Sequence, residues 1–435
     1  MKEKIVNLIA NHVEGMTAEE IATFIEIPPK QELGDYAFPC FRLAKTMHKA
    51  PNLIAADIKE AIGDIDFLDK IDVQGAYLNF FVKKNIFVQT MIESALKDNF
   101  GGSDEGADKV ICIDYSSPNV AKNFHVGHLR TTIIGNSLYK IYSKLGYKVI
   151  RINHLGDWGT QFGKLIVAYK NWGTKEAVEK DGVAELMRLY VKFHEEADQN
   201  PELVDEARAW FSKMEHGDEE ALSIWQWFKD ISLVEYKRTY DLLGMDFDYY
   251  LGESFYRDKC QEVVDQLTNA NLLKESEGAM IVDLSDYDMA PCIVTKKDGS
   301  SIYATRDLAA IFYRKNTYHF TKCLYVTGQE QKLHFAQVFK VVELLGNDWA
   351  KDSLVHIPYG LVSLEGAKLS TRSGNIIYAE DILHDAIKKS FEIISEKSPN
   401  LPDKEEVAKI VGVGSVLFND LYNQRIKDVS FSWDK

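Results

Sequence analysis

Val110-Ile-Cys-Ile-Asp-Tyr-Ser-Ser-Pro-Asn-Val-Ala-Lys-Asn-Phe-His-Val-Gly-His-Leu-Arg130 decides the fold. Its first four residues form a short, wholly apolar run, the pattern of a strand buried on both faces. A polar loop follows, then a helical stretch over Thr131 to Leu145, and Tyr147-Lys-Val-Ile-Arg-Ile152 reads as a second strand. Two strands joined through a helix run parallel, because a crossover of that length returns the chain to the same edge. The pattern is the opening βαβ unit of a doubly wound α/β nucleotide fold.

Upstream, residues 1–97 carry helical patterns and then short alternating runs ending in Val73-Gln-Gly-Ala-Tyr-Leu-Asn-Phe-Phe-Val82, with a helix from about Ile86 to Lys97. Asn99-Phe-Gly-Gly-Ser-Asp-Glu-Gly-Ala107, rich in glycine and acid, is the strongest linker signal. A small α+β domain over 1–105 is therefore expected, then an α/β domain over 106–380 and a helical stretch over 381–435. Residues 165–272 are dense in charged helix formers, which predicts a helical insertion between two halves of the sheet. Met280-Ile-Val-Asp-Leu284 and Cys292-Ile-Val-Thr295 alternate like hairpin strands with an Asp298-Gly299 turn, and Lys322-Cys-Leu-Tyr-Val-Thr327 reads as another buried strand. After Pro402, Asp403 with Glu406 forms a cap pattern, and Val407, Ile410, Val411, Leu417, Phe418 and Leu421 mark one apolar face.

The 435 residues are 46% hydrophobic and 27% charged, the balance of a globular chain with room for about three domains. The five cysteines are scattered, with no C-x-x-C pair, so neither a disulfide framework nor a cysteine zinc site is indicated. A reducing, cytoplasmic setting is expected. No apolar stretch approaches the ~20 residues of a membrane span, and Met1-Lys-Glu-Lys4 does not open like a secretory leader. The net charge of −15 argues against generic adhesion to nucleic acid. Ten acids between 195 and 220, against Arg208 and Lys213 alone, supply more than half of that excess. A basic groove elsewhere therefore remains open.

The loop from Asp114 to Arg130 leads from a strand end into a helix start, where free N–H groups and the helix dipole favour an anion. His125 and His128 can donate to phosphate oxygens, and Gly127 permits close approach of a ligand to the backbone. The plainer reading is a pair of histidines capping a helix; a metal would need a third ligand that the sequence does not offer. His154-Leu-Gly-Asp-Trp-Gly-Thr-Gln-Phe-Gly-Lys164 follows the second strand, but its Gly163-Lys164 lacks the spacing of a Walker A loop. Gly328-Gln-Glu-Gln-Lys-Leu-His334 follows a third strand, and Lys368-Leu-Ser-Thr-Arg-Ser-Gly-Asn375 is a basic loop able to close over a polyphosphate or to be a surface turn.

Together these stretches resemble the class I aminoacyl-tRNA synthetases, and within them the arginyl-tRNA synthetases. His125-Val-Gly-His128 resembles the signature His-Ile-Gly-His, Lys368-Leu-Ser-Thr-Arg372 the signature Lys-Met-Ser-Lys-Ser, and Gly328 to His334 the element G-x-D-Q-x-x-H with Glu330 for Asp. Ser116-Ser-Pro-Asn119, Asn153-His-Leu-Gly-Asp-Trp-Gly-Thr-Gln161, Gly252-Glu-Ser254 and Tyr303-Ala-Thr-Arg-Asp307 narrow the resemblance to arginine. The resemblance implies a Rossmann-like class I synthetase catalytic domain with helical insertions, preceded by a tRNA-contacting α+β domain. It also implies activation of arginine by ATP, with Mg²⁺ accompanying the nucleotide and no protein-ligated metal, followed by transfer to tRNA.

The same resemblance implies that Asp114, Tyr303 and Asp307 bind the guanidinium and that Ser117, Asn119 and Gln331 hold the α-amino and carboxylate end. ATP would lie on Phe124, His125, Gly127 and His128, with His154, Glu330, Leu361, Val362, Lys368 and Ser370 nearby. His125, His128, Lys122 and Lys368 would act on the phosphates, Lys122 compensating for Thr371 where the class loop has its second lysine. A planar five-donor guanidinium needs carboxylate acceptors, and Tyr303 and Asp307 lie i,i+4 on one helix face, so both can point into one pocket; apart from the resemblance, the plainer reading of such a pair is a hydrogen bond on a helix surface.

Tyr77 and Asn79 match positions that contact a tRNA nucleotide in the family. As alternating strand residues they share one face, where a ring can stack on a base and an amide can pair with its edge. A core tyrosine beside a turn asparagine is the plainer alternative. Two rival readings are a non-catalytic RNA-binding relative and a small-molecule nucleotidyltransferase; the matched arginine-pocket set weighs against the first, and the front domain against the second. A monomer is expected. Val411-Gly-Val-Gly through Ser430-Phe-Ser-Trp-Asp434 resembles the approach to an anticodon-binding domain, so Phe431 and Trp433 are expected to lack packing partners and the chain to be cut short, with tRNA-dependent activity impaired.

Overall fold

The computed structural model describes residues 1–13, 15–295, 303–364, 367, 368 and 378–431, with backbone alone at Leu364, Ala367 and Lys368. The chain divides into two compact units, Met1–Gly102 and Ser103–Lys435.

In the first unit, β1 (Tyr36–Pro39), β2 (Leu68–Gln74) and β3 (Tyr77–Val82) form an antiparallel sheet with β3 in the middle. The two-residue turn between β2 and β3 requires a positive φ, and Gly75 supplies it at 63°. Helices Lys2–Ala10 and Pro51–Ile62 bury Ile5, Ile9, Ile54 and Ile58 in a core shared with Leu78 and Phe80 of β3. Thr17 and Glu20 close a reciprocal capping box at the start of Ala18–Phe24. A helix runs over Lys84–Ala95.

The second unit is built on β4 (Val110–Asp114), β5 (Lys148–Asn153), β6 (Tyr249–Tyr250), β10 (Lys322–Gly328) and β11 (Leu354–Tyr359), all parallel, in the order β11-β10-β4-β5-β6. Between β6 and β10 a separate antiparallel sheet comprises β7 (Leu273–Ser276), β8 (Ala279–Val282) and β9 (Cys292–Thr295). A third joins β12 (Val362–Leu364) to β13 (Ala367–Lys368) and, in parallel, to β14 (Val429–Phe431). The chain proceeds from β4 outward in one direction and from β10 outward in the other, so the crevice beyond the carboxyl ends of β4 and β10 is the topological switch point, where open α/β sheets bind ligands. Cys112 and Tyr325 lie in the core on one side of this sheet, and Ile111, Ile113, Leu324 and Val326 in the core on the other.

Three expectations are corrected. The 165–272 stretch is not purely helical, since β6 lies inside it and extends the central sheet by pairing with β5. The last helix, Lys404–Tyr422, buries Ala408, Gly412, Val413 and Val416, while Ile410, Val411, Phe418 and Leu421 are exposed; Asp403 is left-handed and its side chain caps nothing. Small residues permit close packing on Ala379–Lys397, as where a Cβ on Gly412 would come within 2.6 Å of Ile387. Phe431 does not lack partners: it is buried in the core that contains Ile113 and Leu129, on a strand paired with β12. Trp433 and the Asp298-Gly299 turn lie outside the described residues.

Candidate functional site

Beyond β4 the chain makes a tight loop with positive φ at Ser116 (71°), Ser117 (47°) and Ala121 (60°), conformations that non-glycine residues adopt only when their surroundings hold them. Helix Glu219–Leu243 does much of that holding. Tyr240 bonds the Ser116 hydroxyl at 2.7 Å, Ser232 accepts from the Ala121 N–H at 3.0 Å, and the Tyr236 hydroxyl lies 2.7 and 2.6 Å from the carbonyl oxygens of Asn119 and Lys122. Gly156 exchanges backbone hydrogen bonds with this loop, and a Cβ there would come within 2.0 Å of the Asn119 side chain.

The loop and strand ends enclose a cavity of about 450 Å³ at the switch point. It brings together Asp114, Ser117, Asn119, Tyr303, Asp307 and Gln331, the six residues assigned to arginine, and His154, assigned to ATP. Glu253, Thr327 and His334 also line it. Tyr303 is exposed at the start of helix Tyr303–Tyr318, with Asp307 one turn further along.

The charges are arranged in pairs. Asp114 Oδ2 meets Arg314 Nη2 at 2.8 Å, both side chains buried, while Ser117 Oγ donates to Asp114 Oδ1 at 2.9 Å. The same Arg314 nitrogen lies 3.2 Å from His154 Nδ1; a guanidinium can only donate, so Nδ1 accepts and Nε2 carries the proton. Burial pushes His154 below the ordinary histidine range. Glu253 pairs with Arg306 at 2.5 Å, yet burial raises its carboxyl to about 7. Asp307 differs: its partner, at 2.6 Å, is His334 Nε2, which is not a permanent cation. Asp114, expected to bind the guanidinium of arginine, already holds a guanidinium belonging to the protein.

The start of Glu253–Tyr256 is fixed by Asp157, a fully buried carboxylate accepting from Ser254 N–H at 2.8 Å, Ser254 Oγ at 2.7 Å and Lys229 Nζ at 2.6 Å. Glu253 and His334 were not among the assigned residues, although both stand inside the quoted family stretches. Arg314 had a helical signal: Tyr303, Asp307 and Arg314 fall within about 40° on a wheel of 3.6 residues per turn.

At the start of helix Val126–Lys144, Gly127 N–H donates to His125 Nδ1 at 3.1 Å, and His125 N–H to His128 Nδ1 at 3.2 Å. Both Nδ1 atoms are thereby acceptors, which leaves both Nε2–H groups as donors at the positive end of a helix. Burial, with the Lys122 cation nearby, lowers His125; burial and these neighbouring charges put His128 well below its ordinary range. Accepting at Nδ1 and shifted downward, both imidazoles favour their neutral form. Phe124 is buried and packs on His128 at 5.2 Å. Lys122 lines a different cavity, with Met187 and Tyr190. Glu330 follows β10 and is exposed, as is Leu361, while Val362 begins β12. Lys368 is described by its backbone alone, and Ser370 and Thr371 lie outside the described residues.

In the first unit Tyr77 is exposed, edge-on to Phe41, whereas Asn79 is 3% exposed in the central strand. Of the two, only the tyrosine is exposed to solvent. Among the described residues no group of three or more His, Cys, Asp or Glu side chains could hold a metal ion.

Residues 91–433 match the family described as tRNA synthetases class I (R), catalytic domain, and residues 2–82 match the arginyl tRNA synthetase N terminal domain. An arginine–tRNA ligase of Alkaliphilus metalliredigens is 57% identical over 435 residues, covering 100% of this chain and 77% of the relative. One from Clostridioides difficile is 55% identical over 436 residues, with the same coverage. The arginyl-tRNA synthetase structure from Thermus thermophilus shares the fold at a TM-score of 0.74 and 22% identity, covering 100% of this chain and 77% of that one.

Proposed function

We propose, since the chain belongs to the arginyl-tRNA synthetase family and is an arginine–tRNA ligase, that its switch-point cavity holds arginine with the guanidinium on Asp307 and Tyr303. The carrying observation is the charge pairing: Asp114 and Glu253 each face an arginine of the protein, and Asp307 alone among these three carboxylates faces a histidine. A guest guanidinium adds a fork of donors to that acceptor. Asp114, Ser117, Asn119 and Gln331 take the amino-acid end.

ATP is the second substrate. In our reading it enters as its Mg²⁺ complex, with phosphates on the Nε2–H groups of His125 and His128, Lys122 and Lys368 adding charge, and the adenosine on Gly127, His154, Glu330, Leu361 and Val362, with Phe124 behind His128 and Ser370 on the closing loop. A carboxylate oxygen of arginine attacks the α-phosphorus in line, the bond to the bridging oxygen breaks, and pyrophosphate departs with its electron pair. The terminal ribose hydroxyl of tRNA then attacks the carbonyl, releasing AMP. No side chain becomes covalent. Neutral donors in fixed orientation stabilise the developing charge without reorganising.

tRNA is the third substrate; we assign Tyr77 of the first unit to contact with it, supported by the exposure of its ring. We read the protein as a cytoplasmic monomer. Its five buried cysteines, none in a disulfide, fit a reducing compartment, and among the described residues no helix is long and apolar enough to cross a membrane. The test is ATP–pyrophosphate exchange, with and without tRNA, using arginine, lysine and citrulline as competing substrates. Exchange that requires arginine supports the pocket; equal exchange with citrulline, which lacks the cation, would overturn it.

A further inference from the structure

The first turns of helix Val126–Lys144 have two working sides. One carries His125 and His128. Arg130 sends its side chain the other way, into the protein, where it is 1% exposed. Its Nη1 donates to the carbonyl oxygens of Gly360 at 2.9 Å and Leu361 at 3.4 Å, its Nη2 to that of Arg425 at 3.0 Å, and its Nε faces Asp420 Oδ1 at 3.4 Å. Three stretches remote in sequence thus meet on one guanidinium.

The 358–362 stretch is gripped from its far side as well. Arg425 donates to the Pro358 carbonyl, Asp428 Oδ1 accepts from the Leu361 N–H at 2.7 Å, Gly360 N–H donates to Arg425 O at 3.0 Å and Val429 N–H to Leu361 O at 2.9 Å. Contact is so close that a Cβ on Gly360 would lie 2.4 Å from the Lys427 carbonyl carbon. Burying a guanidinium costs several kcal/mol, and an apolar residue of similar volume would often fill the space at no loss of stability. What the aliphatic residue lacks is a planar set of donors reaching three backbone carbonyls at once.

We propose that Arg130 is a positioning residue for ATP, fixing the 359–362 segment against the helix start that carries His125 and His128, so that the adenosine and phosphate subsites keep one spacing. This rests on the placement of ATP proposed above. ATP spans both subsites and profits from that spacing, as two linked ligands profit when the link fits. Adenosine or pyrophosphate alone touches only one subsite and is indifferent to it. Arginine lies in the cavity at β4 and β10, outside the Arg130 contacts.

The experiment compares the 435-residue protein with Arg130→Lys, which keeps the charge but cannot bridge three carbonyls, and with Asp428→Asn, which weakens the grip on Leu361 from the other side. Dissociation constants for ATP, adenosine, pyrophosphate and arginine are measured calorimetrically, alongside KM and kcat in aminoacylation. ATP should bind about tenfold more weakly in Arg130→Lys, as loss of a fitted link predicts. Adenosine, pyrophosphate and arginine should stay within about twofold, well under the 1.4 kcal/mol of a decade, and Asp428→Asn should shift ATP in the same direction. Unchanged ATP affinity, or a parallel loss of all four ligands, would overturn the proposal. If Arg130→Lys does not fold, Asp428→Asn decides by the same criterion. His128→Ala and Leu361→Ala serve as controls for the placement itself. If His128→Ala leaves the rate of adenylate formation unchanged and Leu361→Ala leaves adenosine binding unchanged, the ATP placement fails; if both change while Arg130→Lys and Asp428→Asn leave ATP affinity unchanged, only the positioning role fails.

Discussion

Asp114 Oδ2 and Arg314 Nη2 stand 2.8 Å apart beneath the cavity, so that a guanidinium of the protein itself occupies a carboxylate that sequence resemblance assigns to the substrate. In the proposed pocket this divides the labour: Asp114 is already paired with a protein guanidinium, which leaves Asp307, paired with His334, to take the guest.

That pair gives the first prediction. Arg314→Met leaves Asp114 as an unpaired buried carboxylate, which costs about 3–5 kcal/mol. The melting temperature should fall accordingly, and the Asp114→Asn/Arg314→Met double variant should regain much of the loss. Additive losses in the cycle would show that the two charges do not depend on each other.

Asp307→Asn removes the acceptor charge while keeping the side chain's size. With a buried partner lost at about 3–5 kcal/mol, arginine affinity should drop by roughly two to three decades. ATP affinity, measured in parallel, should hardly move. Equal losses for both substrates would indicate a folding defect rather than a pocket defect.

Glu253 makes arginine binding pH-dependent. Its carboxyl titrates near 7, raised chiefly by burial. Below that pH it is neutral; above it the cavity carries one more negative charge, so binding of a cation strengthens as pH rises, between about 6 and 8. Titration calorimetry across that range should show the trend in the native protein and a flatter one in Glu253→Gln. A native profile that slopes the other way would refute it.

His128→Ala and Lys122→Ala should lower the rate of adenylate formation by roughly 10²–10³ with little change in ATP affinity, the signature of donors acting mainly in the transition state. The neutrality of His128 refines this. His128→Asn, able to replace Nδ1 as the acceptor for His125 N–H, should restore the helix start but not the rate. Single-turnover kinetics separate the two.

Tyr77→Ala should raise the KM for tRNA by an amount equivalent to about 1–3 kcal/mol of base stacking. Arginine and ATP constants should be unaffected. Asn79→Ala should instead lower the stability of the first unit, because Asn79 is buried on β3, the central strand flanked by β1 and β2. A tRNA effect from Asn79→Ala without loss of stability would reverse the assignment.

Much of this architecture was written locally. The apolar run at Val110–Asp114, the helix with histidines at its start and the strand Lys148–Asn153 follow from periodicity and from loop chemistry within a few residues, and so do the hairpin strands β8 and β9. The motifs around Asn119, His128, Gly252 and Asp307 carried the family, and six of their residues converge on one cavity. Tertiary structure alone decided the rest. Which acids are paired with a protein arginine depends on Arg314 and Arg306 arriving beside Asp114 and Glu253, and that depends on a strand order, β11-β10-β4-β5-β6, that departs from chain order. The last helix turned its small residues inward, because close packing against Ala379–Lys397 was available only to them. Phe431 found its core, and Arg130 its three carbonyls, through contacts spanning most of the unit. A side chain's own type and its neighbours in sequence set what it can donate, accept or bury; its partner is set by distance in space, which no local pattern records.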